Sequence, residues 1–354
     1  MKDNKYYVGM DVHKAITVIA ALNAEGKQIM RTLVETKSSS ILDAIRALRG
    51  EVHIAFEEGI HSAWLYDLLK PHVCEVVVCD PRDQRVRQRG NKSDDADAAK
   101  LAQMLRLGGL KAVYHGERGM RKLKELARSY QNLVADSTRA KNRLKAIYRA
   151  RAISYQGEAV YRSDNRQQWL AQLEEEGVRF RAMRLYEEID CLAGLCEQAH
   201  KAMVEEARKH PAFKLLVSIP MLGPIRAALI LAAVLTPDRF RTKRQFWAYI
   251  GLAVVTRSSA DYTVVNGAIK KSNKSPATRG LNQNFNHTLK MVFKTAATGV
   301  RSGPLKDYYD SLLTKGASPQ MARLTLARKI AAVALTIWKK GEAFKAEKFV
   351  KLTA

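Results

Sequence analysis

Short apolar and β-branched runs separated by polar turns fill residues 6–79, a pattern typical of strands. Two amphipathic segments, roughly Ser39–Leu48 and Ser62–Leu69, lie between the later runs and predict helices. A further helix is expected from about Ser93. The predicted order is three strands, then helix, strand, helix, strand and helix. The strands are expected at residues 6–11, 16–22, 29–34, 52–56 and 75–79.

This order is that of the ribonuclease H-like fold, which belongs to the α/β class. The fold would bring four acidic residues close together. Asp11 ends the first strand and Glu57 ends the fourth, while Asp94 and Asp97 lie three apart on one face of the next helix. Carboxylate oxygens suit hard divalent cations, and two cations about 3.5–4 Å apart can assist phosphoryl transfer. The sequence therefore predicts a metal site for Mg²⁺, with Mn²⁺ as an alternative.

Neighbouring acids leave two of these positions open. Glu58 adjoins Glu57, and strand alternation lets only one of them face the site. Asp95 adjoins Asp94 but is turned by about 100° on the helix. For Asp94 and Asp97 alone, solvated residues favoured by the helix dipole are the simpler interpretation. Their combination with the two strand-end acids favours the metal site.

Beyond Leu123 the apolar positions recur at alternating steps of three and four, which predicts a heptad seam. A second seam runs from Leu185 to Met203, so two long helices are expected to pair, within one chain or between two. Residues 154–168 would connect them. Such pairing is a packing feature first, and a dimerisation arm is the alternative. The chain is thus divided into a ribonuclease H-like metal-binding domain that carries the four acids, a coiled-coil helical arm and a mainly helical C-terminal domain. Their bounds are residues 1–115, 116–210 and 211–354.

The C-terminal domain begins with two apolar helical segments joined by the turn Ile219–Gly223. This turn resembles a helix-hairpin-helix, which can offer backbone N–H groups to a DNA phosphate. Met221 replaces the usual first glycine of such a turn, and a plain packing hairpin is the alternative. A final pair of helices, the last covering residues 323–340, is expected to close the domain.

The stretch Thr256–Thr278 is polar and basic and is expected to form a loop or a short hairpin. It contains Ser258 and Ser259, and a serine hydroxyl can attack a phosphodiester to form a covalent protein–DNA ester. Loop serines are more usually capping or solvated residues. Basic residues downstream suit contacts with nucleic-acid phosphates, although a solvated charged loop is the alternative. These residues are Lys270, Lys271, Lys274 and Arg279.

Charge narrows the choice of partner. Lys and Arg number 60 against 35 Asp and Glu, a net charge of +25 at pH 7, so a polyanion is expected. Nucleic acid is the commonest such partner, ahead of a membrane surface. No apolar run reaches the ~18 residues of a spanning helix, and the polar start lacks a signal peptide's apolar segment, so a cytoplasmic, nucleoid-associated protein is expected.

The cysteines lack zinc-site spacing and are expected to be buried, reduced thiols. They are Cys74, Cys79, Cys191 and Cys196.

Motifs at both ends of the chain resemble those of the DEDD transposases of the insertion sequence 110 family, which includes the Piv DNA invertase. The family's three N-terminal motifs are similar to three stretches of this sequence: GMDVHK, AFEEG followed by WLYDLL, and KSDDADAAKLA. The family's second conserved domain resembles three C-terminal stretches: SIPMLGPIRAALILAAV, RFRTKRQFWAYIGLA and RGLNQNFNHTLKMVFKTAA. The resemblance implies a Holliday-junction-resolvase-like domain that carries the DEDD acids, a coiled-coil arm, and a C-terminal domain that carries a nucleophilic serine.

Matched residue by residue, the resemblance also assigns the site. The family serine usually lies in a Ser-Gly step eight residues after a Gly-Leu, and counting from Gly251–Leu252 gives Ser259. Ala260 stands where the glycine is usual, and Val254 replaces a common proline, so Ser258 remains an alternative. The DEDD acids correspond to Asp11, Glu57, Asp94 and Asp97.

The resemblance implies DNA cleavage and rejoining through a phosphoserine intermediate, with Mg²⁺ beside the scissile phosphate and the serine supplied by another protomer. A dimer or tetramer is then expected. A structured non-coding bridge RNA would pair with donor and target double-stranded DNA. Two alternatives remain. One is a Holliday-junction or structure-specific endonuclease that uses metal-activated water, and the other is a non-catalytic nucleic-acid-binding protein on the same scaffold.

Overall fold

The computed structural model describes residues 4–80, 94–113, 120–257, 262–265, 268–271 and 277–351. The chain divides into two compact units, Met1–Gly116 and Glu117–Ala354. Both contain helices, and the five-stranded sheet belongs to the first, so the predicted mixed α/β class is confirmed. Across the described ranges, no helix combines the length and apolar character needed to cross a bilayer.

The N-terminal unit is built on a five-stranded sheet with the strand order β3-β2-β1-β4-β5. The first three strands form an antiparallel meander, whereas β4 and β5 run parallel to β1 because a helix follows β3 and another follows β4. In chain order the elements are β1 (Lys5–Val12), β2 (Ile16–Leu22), β3 (Gln28–Glu35), α1 (Ser38–Arg46), β4 (Glu51–Glu57), α2 (Ser62–Leu69), β5 (Glu75–Cys79) and α3 (Asp94–Arg106).

Strand alternation divides this sheet into two faces. On one face, alternate residues of β1 and β4 such as Met10 and Phe56 are buried against Ile41 of α1 and Leu65 of α2. Each fully buried side chain of this kind contributes about 1.5–3 kcal/mol. The opposite face is covered by α3, where smaller clusters join β2 and β5 to the helix. The sheet is therefore covered on both faces, and the acidic residues must be assigned to one of them.

The second unit is mainly helical. Its long helices α4 and α6 pack against each other, and the helices after α6 form its largest core. The helices are α4 (Arg121–Arg149), α5 (Arg166–Ala171), α6 (Glu176–Arg208), α7 (Pro211–Val217), α8 (Pro224–Val234), α9 (Lys243–Tyr249), α10 (His287–Gly299), α11 (Pro304–Thr314), α12 (Pro319–Lys340) and α13 (Ala346–Lys351). The strands are β6 (Val254–Arg257), β7 (Tyr262–Val265), β8 (Ala268–Lys271) and β9 (Ala277–Leu281).

The two long helices belong to different cores at their two ends. Leu123 near the start of α4 and Met203 near the end of α6 share the large core of the C-terminal helices. At the other end, Leu144 and Tyr148 pack against Tyr186 and are capped by Val160 from the connecting segment. Because the start of one helix meets the end of the other, α4 and α6 run antiparallel.

Three expectations require correction. The connection between the long helices covers residues 150–175 rather than 154–168, and it contains α5. Four helices follow β9 in the described range, not two, because Pro304 and Pro319 each begin a new helix and Gly341, in the left-handed conformation, ends α12. The cysteines are free, but only Cys79 is buried, since Cys74 follows a turn and Cys191 lies on an outer helix face.

The basic stretch after α9 forms antiparallel ribbons, the hairpin form of the prediction. β6 pairs with β9, and β7 pairs with β8. The turn Ile219–Gly223 joins α7 to α8, and its Met221 has a φ of 71°, the left-handed conformation that a glycine would adopt without strain. Met221 therefore adopts the left-handed backbone conformation expected of the glycine that usually stands at this position.

A buried pair of tyrosines stabilises the far end of the long helices. The Tyr186 hydroxyl donates to the Val160 carbonyl at 2.9 Å, so the Tyr148 hydroxyl, 3.1 Å away, donates to the Tyr186 oxygen. Burial is the main cause that raises the pKa of Tyr186.

We expect Tyr186→Phe to lower the free energy of unfolding by about 1–3 kcal/mol, because it leaves a buried carbonyl and a buried hydroxyl unpaired. Tyr148→Phe keeps the bond to Val160 and should cost less, about 0.5–1.5 kcal/mol. Urea unfolding of both variants measures the difference. Equal losses would show that the hydroxyl chain does not run in this direction.

Candidate active site

Asp11 lies near the end of β1 on the sheet face that α3 covers. Met10 points into the opposite core, so the adjacent Asp11 points away from it. The pairing of Asp11 with Val18 of β2 supports this, because Val18 clusters with Ala98 of α3. The Asp11 side chain is 25% exposed, which leaves its carboxylate partly accessible.

Gly9 determines how closely α3 approaches this face. A Cβ at Gly9 would lie 2.0 Å from the carbonyl oxygen of Ala98 and 2.6 Å from the backbone nitrogen of Ala102. Both atoms belong to the helix backbone, so no side-chain rotation could make room. The helix therefore lies directly on β1 two residues before Asp11, a contact that the sequence alone did not reveal.

Glu57 ends β4 beside Asp11. β1 and β4 are parallel, with Met10 paired to Phe56, so the next residues of the two strands follow side by side at their carboxyl ends. Glu57 also pairs with Cys79 of β5, which packs against Leu101 of α3. Paired residues share a face, so Glu57 is on the same face as Asp11.

Glu58, the other candidate, follows the end of β4. Its backbone N–H donates to the Cys79 carbonyl at 2.8 Å, so the backbone of β4 stays hydrogen-bonded to β5 for one residue beyond Glu57. Strand alternation turns its side chain away from the face that Glu57 occupies. The strand geometry thus favours Glu57 over Glu58 as the partner of Asp11.

The two remaining acids begin α3. Asp94 is its first residue, and Asp97 is half-buried one residue before Ala98, which contacts Gly9. The side chain of Asp94 lies outside the described residues. β1, β4 and α3 are thus neighbours, and they carry all four predicted acids. Within the described ranges, however, no three Asp, Glu, His or Cys side chains come together closely enough to form a metal site.

His13 is an additional neighbour of Asp11. Its Nε2 atom lies 3.2 Å from the Asp11 Oδ2 atom. Its backbone is held in the turn after β1, because its N–H donates to the Ile16 carbonyl and its carbonyl accepts from the Thr36 hydroxyl. The turn therefore helps to hold the carboxylate of Asp11 at the strand end.

The C-terminal candidates lie on or beside the ribbons. Lys270 and Lys271 end β8 and Arg279 lies within β9, and the structure describes the backbone of these three residues without their side chains. Lys274, Ser258 and Ser259 lie outside the described residues. Ser258 follows directly on Arg257, the last residue of β6.

The base of this ribbon is fastened to the helical core. Asn282, just after β9, donates from its backbone N–H to the Ala253 carbonyl at 3.0 Å and from its side chain to the Ala248 carbonyl at 2.9 Å. Gly251 has a φ of 68° and no room for a side chain, since a Cβ there would lie 2.4 Å from the Phe285 ring. The segment that carries the serines therefore leaves from a fixed base.

Comparison with known proteins shows that two regions of the chain match transposase families. A transposase family model of the DEDD, IS110 type matches residues 8–150, from within β1 to the end of α4. A second model, the transposase IS116/IS110/IS902 family, matches residues 213–309. Together they cover well over half of the chain. The chain belongs to the IS110 family of transposases.

Two curated relatives are transposases by name. One, the transposase for insertion sequence element IS1533 of Leptospira borgpetersenii, is 28% identical over 176 residues, which are 48% of this chain and 51% of the relative. The other, "Putative transposase y4qE" of Sinorhizobium fredii, is 25% identical over 282 residues, 75% of this chain and 68% of the relative. The chain thus spans about half to two thirds of the length of these relatives.

We expect Gly9→Ala to destabilise the N-terminal unit, at the upper end of the ~1–3 kcal/mol range for overpacking, because the new methyl group meets the α3 backbone. Gly109→Ala is the matched control, since a Cβ there makes an ordinary contact of 3.7 Å. Chemical unfolding of both variants gives the comparison. If Gly9→Ala were as stable as the control, α3 could not lie on β1 as described.

Proposed function

We propose that this protein cleaves and rejoins double-stranded DNA to move an insertion sequence. Asp11, Glu57, Asp94 and Asp97 would hold divalent metal, and Ser259 would be the nucleophile. The observation that carries the proposal is the placement of Asp11 beside Glu57 on the face that α3 covers, in a chain of the IS110 family. In this proposal, acids from three separate stretches of sequence, β1, β4 and α3, bind the metal together.

The architecture supports a finer assignment. An antiparallel meander followed by two parallel strands, with a helix over the site face, supports our proposal that residues 1–115 form a ribonuclease H-like, Holliday-junction-resolvase-like domain. In this proposal α4 and α6 form a coiled-coil arm within residues 116–210. Residues 211–354 then form the transposase domain that carries the serine.

The donor set fits a hard cation, because it contains carboxylate oxygens and no sulfur. Mg²⁺ is the proposed ion, and Mn²⁺ would satisfy the same ligands. Bound there, a divalent cation would offset the repulsion between the acids and stabilise negative charge on the scissile phosphate. The protein's own contribution is to hold the acids: Gly9 lets α3 approach β1, and the turn at His13 fixes the end of that strand.

In the proposed chemistry the Ser259 hydroxyl attacks the scissile phosphorus. An Oγ–phosphorus bond forms, the bond from phosphorus to a deoxyribose oxygen breaks, and the serine proton passes to a base while the sugar oxygen is protonated. The phosphoserine keeps the ester, so a second DNA end can attack it in the reverse sense and restore a phosphodiester. Rejoining therefore requires no external energy source.

The net charge of +25 favours nucleic-acid partners, and the basic residues of the ribbon would contact phosphates. These residues are Lys270, Lys271, Lys274 and Arg279. A structured bridge RNA is proposed as the guide that pairs with donor and target DNA. A dimer or tetramer would allow the serine of one protomer to serve the acids of another.

Neutralising either strand-end acid should remove catalysis. We expect Asp11→Asn and Glu57→Gln each to slow DNA strand cleavage by at least about a hundredfold, since each removes a charged ligand from a metal worth several kcal/mol. Glu58→Gln is the matched control and should keep activity. Cleavage assays with Mg²⁺ and with Mn²⁺, together with Mn²⁺ binding by calorimetry, measure the effect. Loss of activity in Glu58→Gln with full activity in Glu57→Gln would reverse the assignment.

The serine is tested by trapping the covalent complex. A DNA substrate with a nick just beyond the scissile phosphate should accumulate a protein–DNA ester that denaturing electrophoresis separates. We expect Ser259→Ala to abolish both the ester and strand exchange, and Ser258→Ala to preserve them. An ester lost only in Ser258→Ala would move the nucleophile by one residue. Cleavage without any ester would favour an endonuclease that uses water.

A further inference from the structure

A basic cavity of about 880 Å³ lies in the C-terminal unit, lined by residues of α9, the start of β6, α11, α12, and the segment from α12 into α13. Of the residues that line it, all within the described ranges, six are basic and one, Glu342, is acidic. Such an excess of basic side chains favours an anionic ligand. All of its lining residues belong to the C-terminal unit.

Arg328 lies in the wall of this cavity with part of its guanidinium unsatisfied. Its Nε donates to the Leu252 carbonyl at 2.7 Å, whereas its buried Nη2 has no hydrogen-bond partner in the described part of the chain. Burial lowers the pKa of the Arg328 side chain. An unpaired buried donor on a cation is costly, and an anionic oxygen would satisfy it.

Two lysines increase the local positive charge. Lys329 follows Arg328 on α12, and Lys243 begins α9 on the other side of the cavity. Burial, and then the charge of Lys243, lower the pKa of Lys329. Neighbouring phosphates would relieve this repulsion by screening both ammonium groups.

Aromatic rings stand beside these cations. The Lys243 Nζ atom lies 5.7 Å from the centre of the Trp247 ring, and the Lys329 Nζ atom lies 5.6 Å from that of Tyr308 and 5.3 Å from that of Phe349. The Trp247 indole N–H donates to the Arg328 carbonyl at 2.9 Å, which fixes the ring against α12. Fixed aromatic faces among cations are the features that bind single-stranded nucleic acid, because bases stack on rings while phosphates meet the charges.

We propose that this cavity binds an unpaired segment of nucleic acid, with a base stacked on Trp247 and the flanking phosphates on Arg328, Lys243 and Lys329. A cavity of this size is in the range of about 300–1,000 Å³ that encloses small ligands, so it takes unpaired nucleotides rather than a duplex. The inference rests on the proposed function to the extent that the chain must act on nucleic acid. It adds a site for a displaced DNA strand or an unpaired RNA segment.

The position of the cavity along the chain fits this role. Val254 lines it and begins β6, and about 10 Å of strand leads from there to Arg257, after which the serines follow. A nucleotide held in the cavity would therefore lie at the root of the ribbon that carries the proposed nucleophile.

Photo-crosslinking tests the location. The full chain would be irradiated with single-stranded DNA, single-stranded RNA and duplex DNA that each contain 5-iodouracil, and crosslinked peptides would be identified by mass spectrometry. We expect a crosslink at Trp247 or Tyr308 with the single strands and none at these residues with the duplex. The stronger of the two single-strand arms identifies the source of the segment as DNA or RNA. Crosslinks confined to residues outside the cavity would overturn the proposal.

Affinity measurements test the energetics. Trp247→Ala should weaken single-strand binding about tenfold, whereas Trp247→Phe, which keeps a stacking ring, should retain most of it. Lys243→Ser combined with Lys329→Ser should reduce the slope of log affinity against log salt by about two, one for each phosphate contact. Lys315→Ser, an exposed lysine outside the cavity, is the control and should leave affinity nearly unchanged.

The outcomes separate this inference from the proposed function. If the wild-type chain binds single strands but the cavity variants behave like Lys315→Ser, the cavity proposal fails while the transposase proposal stands. If the wild-type chain binds neither DNA nor RNA, both fail. If the cavity variants change the mass of the protein in solution and not its affinity for single strands, the cavity is a contact between copies of the chain and the proposal is wrong.

Discussion

The contact of α3 with β1 at Gly9 is the constraint on which the N-terminal site depends. The parallel register places Asp11 beside Glu57, but the sheet alone supplies no third element. The missing Cβ of Gly9 allows the backbone of α3 to lie against the strand, with the contact at Ala98. Asp97 is the residue before Ala98, so this contact brings it close to β1. Carboxylates repel one another, and small residues such as Val18 and Ala98 stabilise the packing that holds them on one face.

The C-terminal unit depends on a comparable fixed point at Arg328. This residue accepts a hydrogen bond from Trp247 of α9 and donates one to Leu252, so it joins α12, α9 and the approach to β6. Asn282 fastens the returning strand to Ala248, at the end of the same helix. A ribbon held at both of its roots can carry a reactive group with little freedom at its base, which catalysis by positioning requires.

Local patterns predicted most of the N-terminal fold, because strand alternation and amphipathic periods are recorded in neighbouring residues. The positions of Asp11 and Glu57 at strand ends followed from the same signal. The role of Gly9 did not, since it depends on a helix that begins 85 positions later in the chain. The starts of two C-terminal helices were also missed, although a proline in the first turn, Pro304 in one and Pro319 in the other, is a local signal of a helix start. The cavity at Arg328 combines residues of four helices, and no single motif marks it.

In the proposed function, acids in one unit and a serine in the other would turn a nuclease-like face into a recombinase. Acids that hold a metal can activate water as readily as a hydroxyl, and water would release a free phosphate end whose ester energy is lost. A serine keeps that energy in a phosphoserine, which a new DNA end can exchange. In the proposed mechanism the decisive structural element is therefore the ribbon that Arg328 and Asn282 fasten at its base. In this proposal the acids make cleavage possible, and the ribbon makes it reversible.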